Sequence, residues 1–221
     1  MSPWPELKWW SSGENQVIEE KLDALDKQGH PYSPSRECLY RALSLTSPET
    51  CKVAVVGQDP YPEARYCTGV AFSIPSSLRK YPPTLQVIYQ ELLNDLHFER
   101  KTGSLESWCN QGVLLWNSTP TYQASLSKPK VNLHAYWTEW TYLTKEIIET
   151  LSDKGIVFVL LGSRAREYSR YISLSNNYLI ELGHPSPIGY RANNPFKSSR
   201  LFSVVNDKLV NNGLQAIDWR L

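Results

Sequence analysis

A chain of 221 residues is long enough to bury a substantial core and is most simply read as a single domain over 1–221. Hydrophobic residues make up 41% and charged residues 20%, a balance that excludes a disordered chain. With 23 basic against 22 acidic side chains the net charge is +1, which argues against a strong non-specific nucleic-acid binder. It leaves room for an enzyme that touches a few phosphates through backbone amides and hydroxyls.

Taken in order, residues 1–14 carry two prolines and Ser11-Ser12-Gly13 and read as an irregular lead-in. They lack the basic and apolar regions of a signal peptide, so a soluble intracellular protein is the default, in cytoplasm or nucleus depending on host. Residues 17–27 place Ile18, Leu22 and Leu25 on one helical face, and a short helix is expected over 36–43. Four apolar runs, 53–56, 113–116, 156–161 and 178–182, are short and rich in Val, Ile and Leu, as strands buried on both faces are. None is long enough to span a bilayer. Between them Thr84 is a candidate cap for a helix carrying Leu85, Ile88, Leu92 and Leu96, and 136–151 has helical spacing with charges outside. Residues 163–172 and 194–210 supply two more helices. Strands alternating with helices predict an α/β fold, a central parallel sheet of about four strands flanked by helices on both faces.

Cys38, Cys51, Cys67 and Cys109 form no C-x-x-C and no zinc-like pairing with histidine, so free, mostly buried thiols in a reducing compartment are expected. Neither G-x-G-x-x-G nor G-x-x-x-x-G-K-[ST] is present. No cofactor and no metal are expected.

The residues just after each strand are chemically pointed. Gly57-Gln58-Asp59-Pro60-Tyr61 comes after the first, Asn117-Ser118-Thr119 after the second, Gly162-Ser163 after the third and Gly183-His184-Pro185-Ser186 after the fourth. Ligands of an open parallel sheet bind beyond the carboxyl ends of its strands. An acid, an amide, a Gly-Ser turn and a histidine therefore gather at one edge, although a tight turn alone would also use Gly, Asp and Pro.

Gly57-Gln58-Asp59-Pro60-Tyr61 and His184-Pro185-Ser186-Pro187 resemble the two signature motifs of family-1 uracil-DNA glycosylases. Tyr81-Pro82-Pro83-Thr84 resembles that family's proline-rich loop, and the run from Gln111 to Asn117 one of its strands. The stretch from Leu133 to Thr141, the run from Val157 to Ser163 and the ending Ile217-Asp218-Trp219 are similar too, so the likeness runs from about Pro31 to Trp219.

The resemblance implies extrusion of uracil from single- or double-stranded DNA and hydrolysis of its bond to deoxyribose, leaving free uracil and an abasic site. Positive charge develops on the sugar and negative charge on the departing base. Asp59 is then the carboxylate that stabilises the first and orients water, and His184 the neutral donor at the base's O2. The resemblance gives Asn117 the reading of uracil N3 and O4, provided neighbours hold its amide in one orientation. Tyr61 would crowd C5 and exclude thymine's methyl group, Phe72 would stack on the base, and Gln58 would lend backbone or amide contacts. Thr84, Gly162, Ser163 and Ser186 match DNA-compressing loops, Ile188 falls at the family's wedge, and Arg191 is a candidate phosphate contact. A monomer is the simplest expectation, and the likeness leaves open whether a proteinaceous inhibitor or replication partner binds.

Three departures touch DNA contacts, one being that 63–68 lacks the family's usual glycine- and histidine-containing stretch. Position 62 is Pro where the family continues with His, and Ile188-Gly189 replaces Leu-Ser. A non-catalytic DNA-binding or replication accessory protein on the same fold is the alternative, against which Asp59 and His184 both stand. Another small α/β hydrolase or nucleotide-binding enzyme is a second alternative, and the missing glycine-rich motifs count against nucleotide sites.

Overall fold

The computed structural model describes residues 4–123, 131–186 and 193–221. Four strands, β1 (Val53–Gly57), β2 (Val113–Asn117), β3 (Val157–Leu161) and β4 (Tyr178–Leu182), form one sheet in the order β2-β1-β3-β4. Every pairing is parallel, with Val53 opposite both Val113 and Val157, and Val157 opposite Tyr178. β1 is buried along its whole length, whereas β4 is an edge strand that is half-buried up to Leu182, contrary to the expectation of burial on both faces.

Alternation along the strands sends side chains to two separate cores. Val53, Val55, Leu115, Val157 and Val159 pack with α3 (Pro83–Leu96), α4 (Glu106–Cys109) and α7 (Leu201–Asn211) on one face. Ala54, Val56, Trp116, Phe158 and Leu160 pack with α1 (Glu14–Lys27), α2 (Arg41–Leu45), α5 (Thr138–Leu151) and α6 (Ser163–Arg166) on the other. The predicted parallel sheet with helices on both faces is the architecture observed.

Helix boundaries differ from expectation where local chemistry overrides periodicity. Thr84 does not cap α3: Pro82 is the N-cap residue and Pro83 the first helical residue, where its missing N–H costs nothing. The expected helix over 36–43 is a 3₁₀ turn (Arg36–Cys38) followed by α2, and that over 163–172 is α6 followed by a 3₁₀ turn (Ser169–Tyr171). α5 starts at Thr138, after a 3₁₀ turn over Leu133–Tyr136. α7 starts only at Leu201, because Ser198 and Arg200 adopt positive φ and end any helix before them. Its start is fixed from α3: Glu91 accepts hydrogen bonds from the backbone N–H groups of Ser198 and Arg200, and Asp95 from that of Ser203.

The lead-in is less irregular than composition implies. It contains a 3₁₀ turn, Lys8–Trp10, and Trp4 and Trp9 are fully buried. Trp4 Nε1 donates to the carbonyls of Leu43 and Thr46, and Trp9 stacks on Trp140 of α5. All four cysteines are free, but only Cys51 and Cys109 are buried, Cys38 and Cys67 being half-buried. Among the described residues no helix is long and apolar enough to cross a membrane, and no group of His, Cys, Asp or Glu is arranged to hold a metal.

Candidate active site

The chain leaves β1 for β2 on one side and returns past it to β3 on the other, so the strand order reverses beside β1. A crevice at such a point, outside the carboxyl ends of the strands, is where open α/β sheets bind ligands. A cleft of about 140 Å³ lies there, lined among others by Asp59, Tyr61, Phe72, Thr84, Asn117 and His184, and also by Pro62 and Cys67. The loops after β1, β2 and β4 meet in it as predicted, whereas Gly162 and Ser163, after β3, are not among its lining residues.

The loop after β1 is laced to the loop after β2. The Gly57 carbonyl accepts from Ser118 N (3.0 Å), and the Gln58 carbonyl from Thr119 N (2.8 Å) and Ser118 Oγ (3.1 Å). Gln58 therefore spends its carbonyl on scaffolding. Its side chain bonds Asp59 and borders a second, smaller hollow with Ser118, Thr119 and Arg164. It does not line the cleft, and the expected Gln58 contact to a base is not supported by its placement.

Phe72 sits at φ 65°, a left-handed conformation costly for an aromatic residue. Its carbonyl accepts from Tyr61 Oη (2.8 Å), and Ala71 N donates to the Leu115 carbonyl on β2. The two cleft aromatics thus hold each other. Gly57 makes room for them: a Cβ there would stand 2.7 Å from Cζ of Phe72 and 2.9 Å from Oδ1 of Asn117. Asn117 ends β2 with its amide against this bare backbone. No described residue hydrogen-bonds that amide, so the neighbour expected to fix its orientation is not among the described contacts.

Asp59 and His184 are both perturbed by burial, in opposite directions. Loss of hydration pushes the Asp59 carboxyl up to about 6, against hydrogen bonds from Asn132 and Gln58 and the nearby Arg164 charge, which pull it down. Burial pushes His184 below its ordinary value, so its imidazole is neutral at pH 7. The His184 ring lies 6.4 Å from that of Phe72, and no described residue hydrogen-bonds it. Its proton donor is free to meet a ligand.

Around the mouth, Thr84 lines the cleft from the second position of α3. Gly162 turns at φ 95°, and a Cβ there would stand 3.3 Å from that of His184. Ser163 begins α6 and is exposed, and Ser186 is half-buried beside His184, whose carbonyl accepts from its N–H. Ile188 and Arg191 lie outside the described residues. Gly183 N donates to the Asn194 carbonyl (2.7 Å), and Asn194 Nδ2 to the Glu181 carbonyl, so the loop carrying His184 is pinched at its base.

Sequence reasoning missed two residues. Asn132 bonds the Asp59 side chain, and Arg164 places a charge near it. The one signal for Asn132 was its place just before the family-like stretch at Leu133. Arg164 directly follows the Gly-Ser turn.

The family model of the Uracil DNA glycosylase superfamily matches residues 43–210. A uracil-DNA glycosylase of Bacillus pumilus is 36% identical, the alignment covering 99% of this chain and 97% of the relative. One from Streptococcus gordonii is 38% identical over 91% of this chain and 89% of its own. The solved structure of mimivirus uracil-DNA glycosylase superposes with a TM-score of 0.83 at 27% identity, covering 96% of this chain and 83% of the other. A mimivirus UNG variant in complex with UGI gives a TM-score of 0.84 at 27% identity, covering 97% and 86%.

Proposed function

We infer, for a chain that belongs to the uracil-DNA glycosylase superfamily, that uracil excised from DNA is bound and released in the cleft beyond β1. The activity is that of a uracil-DNA glycosylase, a hydrolase of the N-glycosidic bond in base excision repair. The observation that carries the assignment of roles is the convergence of Asp59, Tyr61, Phe72, Asn117 and His184 on one cleft.

The chemistry needs two opposite charges stabilised a few ångströms apart. Ionised Asp59, just beyond the end of β1, faces the positive charge developing on deoxyribose and orients the attacking water. Neutral His184 donates to O2 of the departing uracil, whose negative charge grows as the bond breaks. A neutral donor suffices in a dry cleft, because no imidazolium has to be desolvated. Phe72 stacks on the base, Tyr61 closes the space at C5, and the Asn117 amide pairs with N3–H and O4.

Thr84 lines the cleft, Gly162 and Ser186 adjoin His184, and Ser163 follows Gly162; we assign these four to DNA contact on the family likeness. Hydroxyls and backbone amides there suit phosphate binding by a chain of net charge +1. Ile188 as a wedge and Arg191 as a phosphate contact rest on the family likeness alone. The mimivirus variant's complex with UGI supports a UGI-like protein as one kind of partner.

Release of uracil from uracil-containing and uracil-free oligonucleotides tests the assignment. Asp59→Asn should lose roughly 3 kcal/mol or more of transition-state stabilisation while still binding DNA. Asn117→Asp should gain cytosine release, since a protonated acid offers a donor where the amide offered its acceptor. Tyr61→Ala should gain thymine release instead. A folded Asp59→Asn protein with near-normal single-turnover rates would overturn the catalytic role.

A further inference from the structure

Asn132 lies between β2 and α5, in the segment entering the 3₁₀ turn at Leu133, and is 4% exposed. Its Oδ1 accepts from Gln123 N (3.1 Å) and His134 N (3.0 Å), and its Nδ2 donates to the Thr121 carbonyl (2.8 Å). The same side chain hydrogen-bonds the Asp59 carboxyl. Rotating the amide by 180° would aim its NH₂ at two backbone N–H groups and its oxygen at a carbonyl. Only one orientation is therefore available, and in it Asn132 meets Asp59 as a donor.

The platform beneath is rigid. His134 is fully buried, stacked on Trp137 with ring centroids 3.8 Å apart. Its Nδ1 lies 2.7 Å from Thr121 Oγ1, which also accepts from Trp140 Nε1 (2.9 Å), and its Nε2 lies 3.3 Å from Gln123 Oε1. One tautomer satisfies all of these: Thr121 donates to Nδ1, and Nε2–H donates to Gln123. Burial and the Lys21 charge push His134 down to about 4, so the platform keeps one charge state where the enzyme works.

We propose that Asn132 is a positioning residue for Asp59, a non-rotatable amide donor that fixes the carboxylate's orientation for the glycosidic reaction. The proposal rests on the assignment of catalysis to Asp59. The donor also favours the ionised form, offsetting part of the burial that raises Asp59. The other groups facing Asp59 are Gln58 on its own loop, the Arg164 cation, the Cys67 thiol and the Tyr122 phenol, with His184 across the cleft. None of the last three is charged at neutral pH, so Asn132, Gln58 and Arg164 hold the carboxylate ionised between them.

Asn132→Asp keeps acceptors for the Gln123 and His134 amides while replacing the donor at Asp59 with an oxygen. The acidic limb of kcat/KM should move up by about one pH unit or more, and kcat at pH 7 should fall at least tenfold with KM for uracil-containing DNA little changed. The loss should not multiply with that of Asp59→Asn, since both act through one group. Carboxyl-carbon NMR of the free protein should show the Asp59 midpoint displaced upward. That reading needs no turnover, so it separates this proposal from a failure of the catalytic assignment. Asn132→Ala, with no added charge, should shift the midpoint the same way by less, and serves if the acidic variant does not fold. An unmoved midpoint, or losses that multiply in the double variant, would overturn the proposal.

Discussion

Asp59 gives up hydration when the chain folds, and its carboxyl rises from an ordinary 3.8 to about 6. The native state therefore binds that proton more tightly than the unfolded chain does. Its contribution to stability is fully present below about pH 4 and is lost as pH rises through 6. Asp59→Asn, which cannot ionise, should melt like the wild type at pH 3.5 and above it at pH 7.5. One pKa unit corresponds to about 1.4 kcal/mol, and water at the cleft mouth discounts the shift, so a gap of about 1–2 kcal/mol is expected. Melting temperatures across that pH range check it, and a gap independent of pH would show that the charge is not its source. If Asp59 acts as the catalytic carboxylate, the same ionisation should place the acidic limb of wild-type kcat/KM near pH 6. At this scale sequence was informative about identity and poor about environment. That Asp59, His184, Tyr61 and Asn117 share a cleft was legible because each ends or follows a strand, and Phe72 joined them through the family resemblance alone. The Asn132 donor was not, since what commits it to Asp59 is a tertiary network of Thr121, Gln123 and His134.

Elements were legible where burial is periodic and hidden where a single contact sets a boundary. All four strands could be read from apolar runs, but the start of α7 depends on Glu91, which sits in α3, 107 residues before Ser198, and is only 2% exposed. Glu91 takes the place of an N-terminal cap, its two oxygens meeting the Ser198 and Arg200 N–H groups at 2.6 and 2.8 Å. Glu91→Leu strands both donors, so unfolding free energy should fall by about 2–3 kcal/mol, measured by urea denaturation. Because α7 belongs to the same core as Phe72, uracil release should slow as well. A variant as stable as wild type would mean the donors find other partners. The order in the lead-in was hidden for a related reason. Prolines and serines signal irregular backbone, yet Trp4 and Trp9 find their pockets only when α2 and α5 are already in place.

For the molecule as a whole, net charge understates the field at the site. Among the described residues Arg164, Arg166 and Arg170 on and after α6 form no ion pair with a carboxylate, whereas Arg36, Arg41, Arg65, Arg200 and Arg220 do. Arg164 lies beside the Gly-Ser turn, over the ring of Tyr136, which is 73% exposed. Arg164 borders the hollow beside Gln58 and its charge reaches Asp59, so whether it also meets a phosphate can be tested. Arg164→Gln should lower the slope of log affinity against log salt by roughly 0.7–0.9, the loss of one neutralised phosphate. Pro62→His should add to the slope at low pH, in the variant as well as the wild type. Equal slopes for wild type and Arg164→Gln would remove that contact. The hydrogen bonds at Gly183 and Asn194 have a consequence of another kind. They join the chain across the base of the His184 loop, so the sheet and α7 are closed before the loop begins. Loop closure has already been met by contacts that the loop's own length does not alter. This neck therefore sets where the chain leaves the sheet for His184 and where it rejoins the fold, so His184 is anchored from both sides of its own loop.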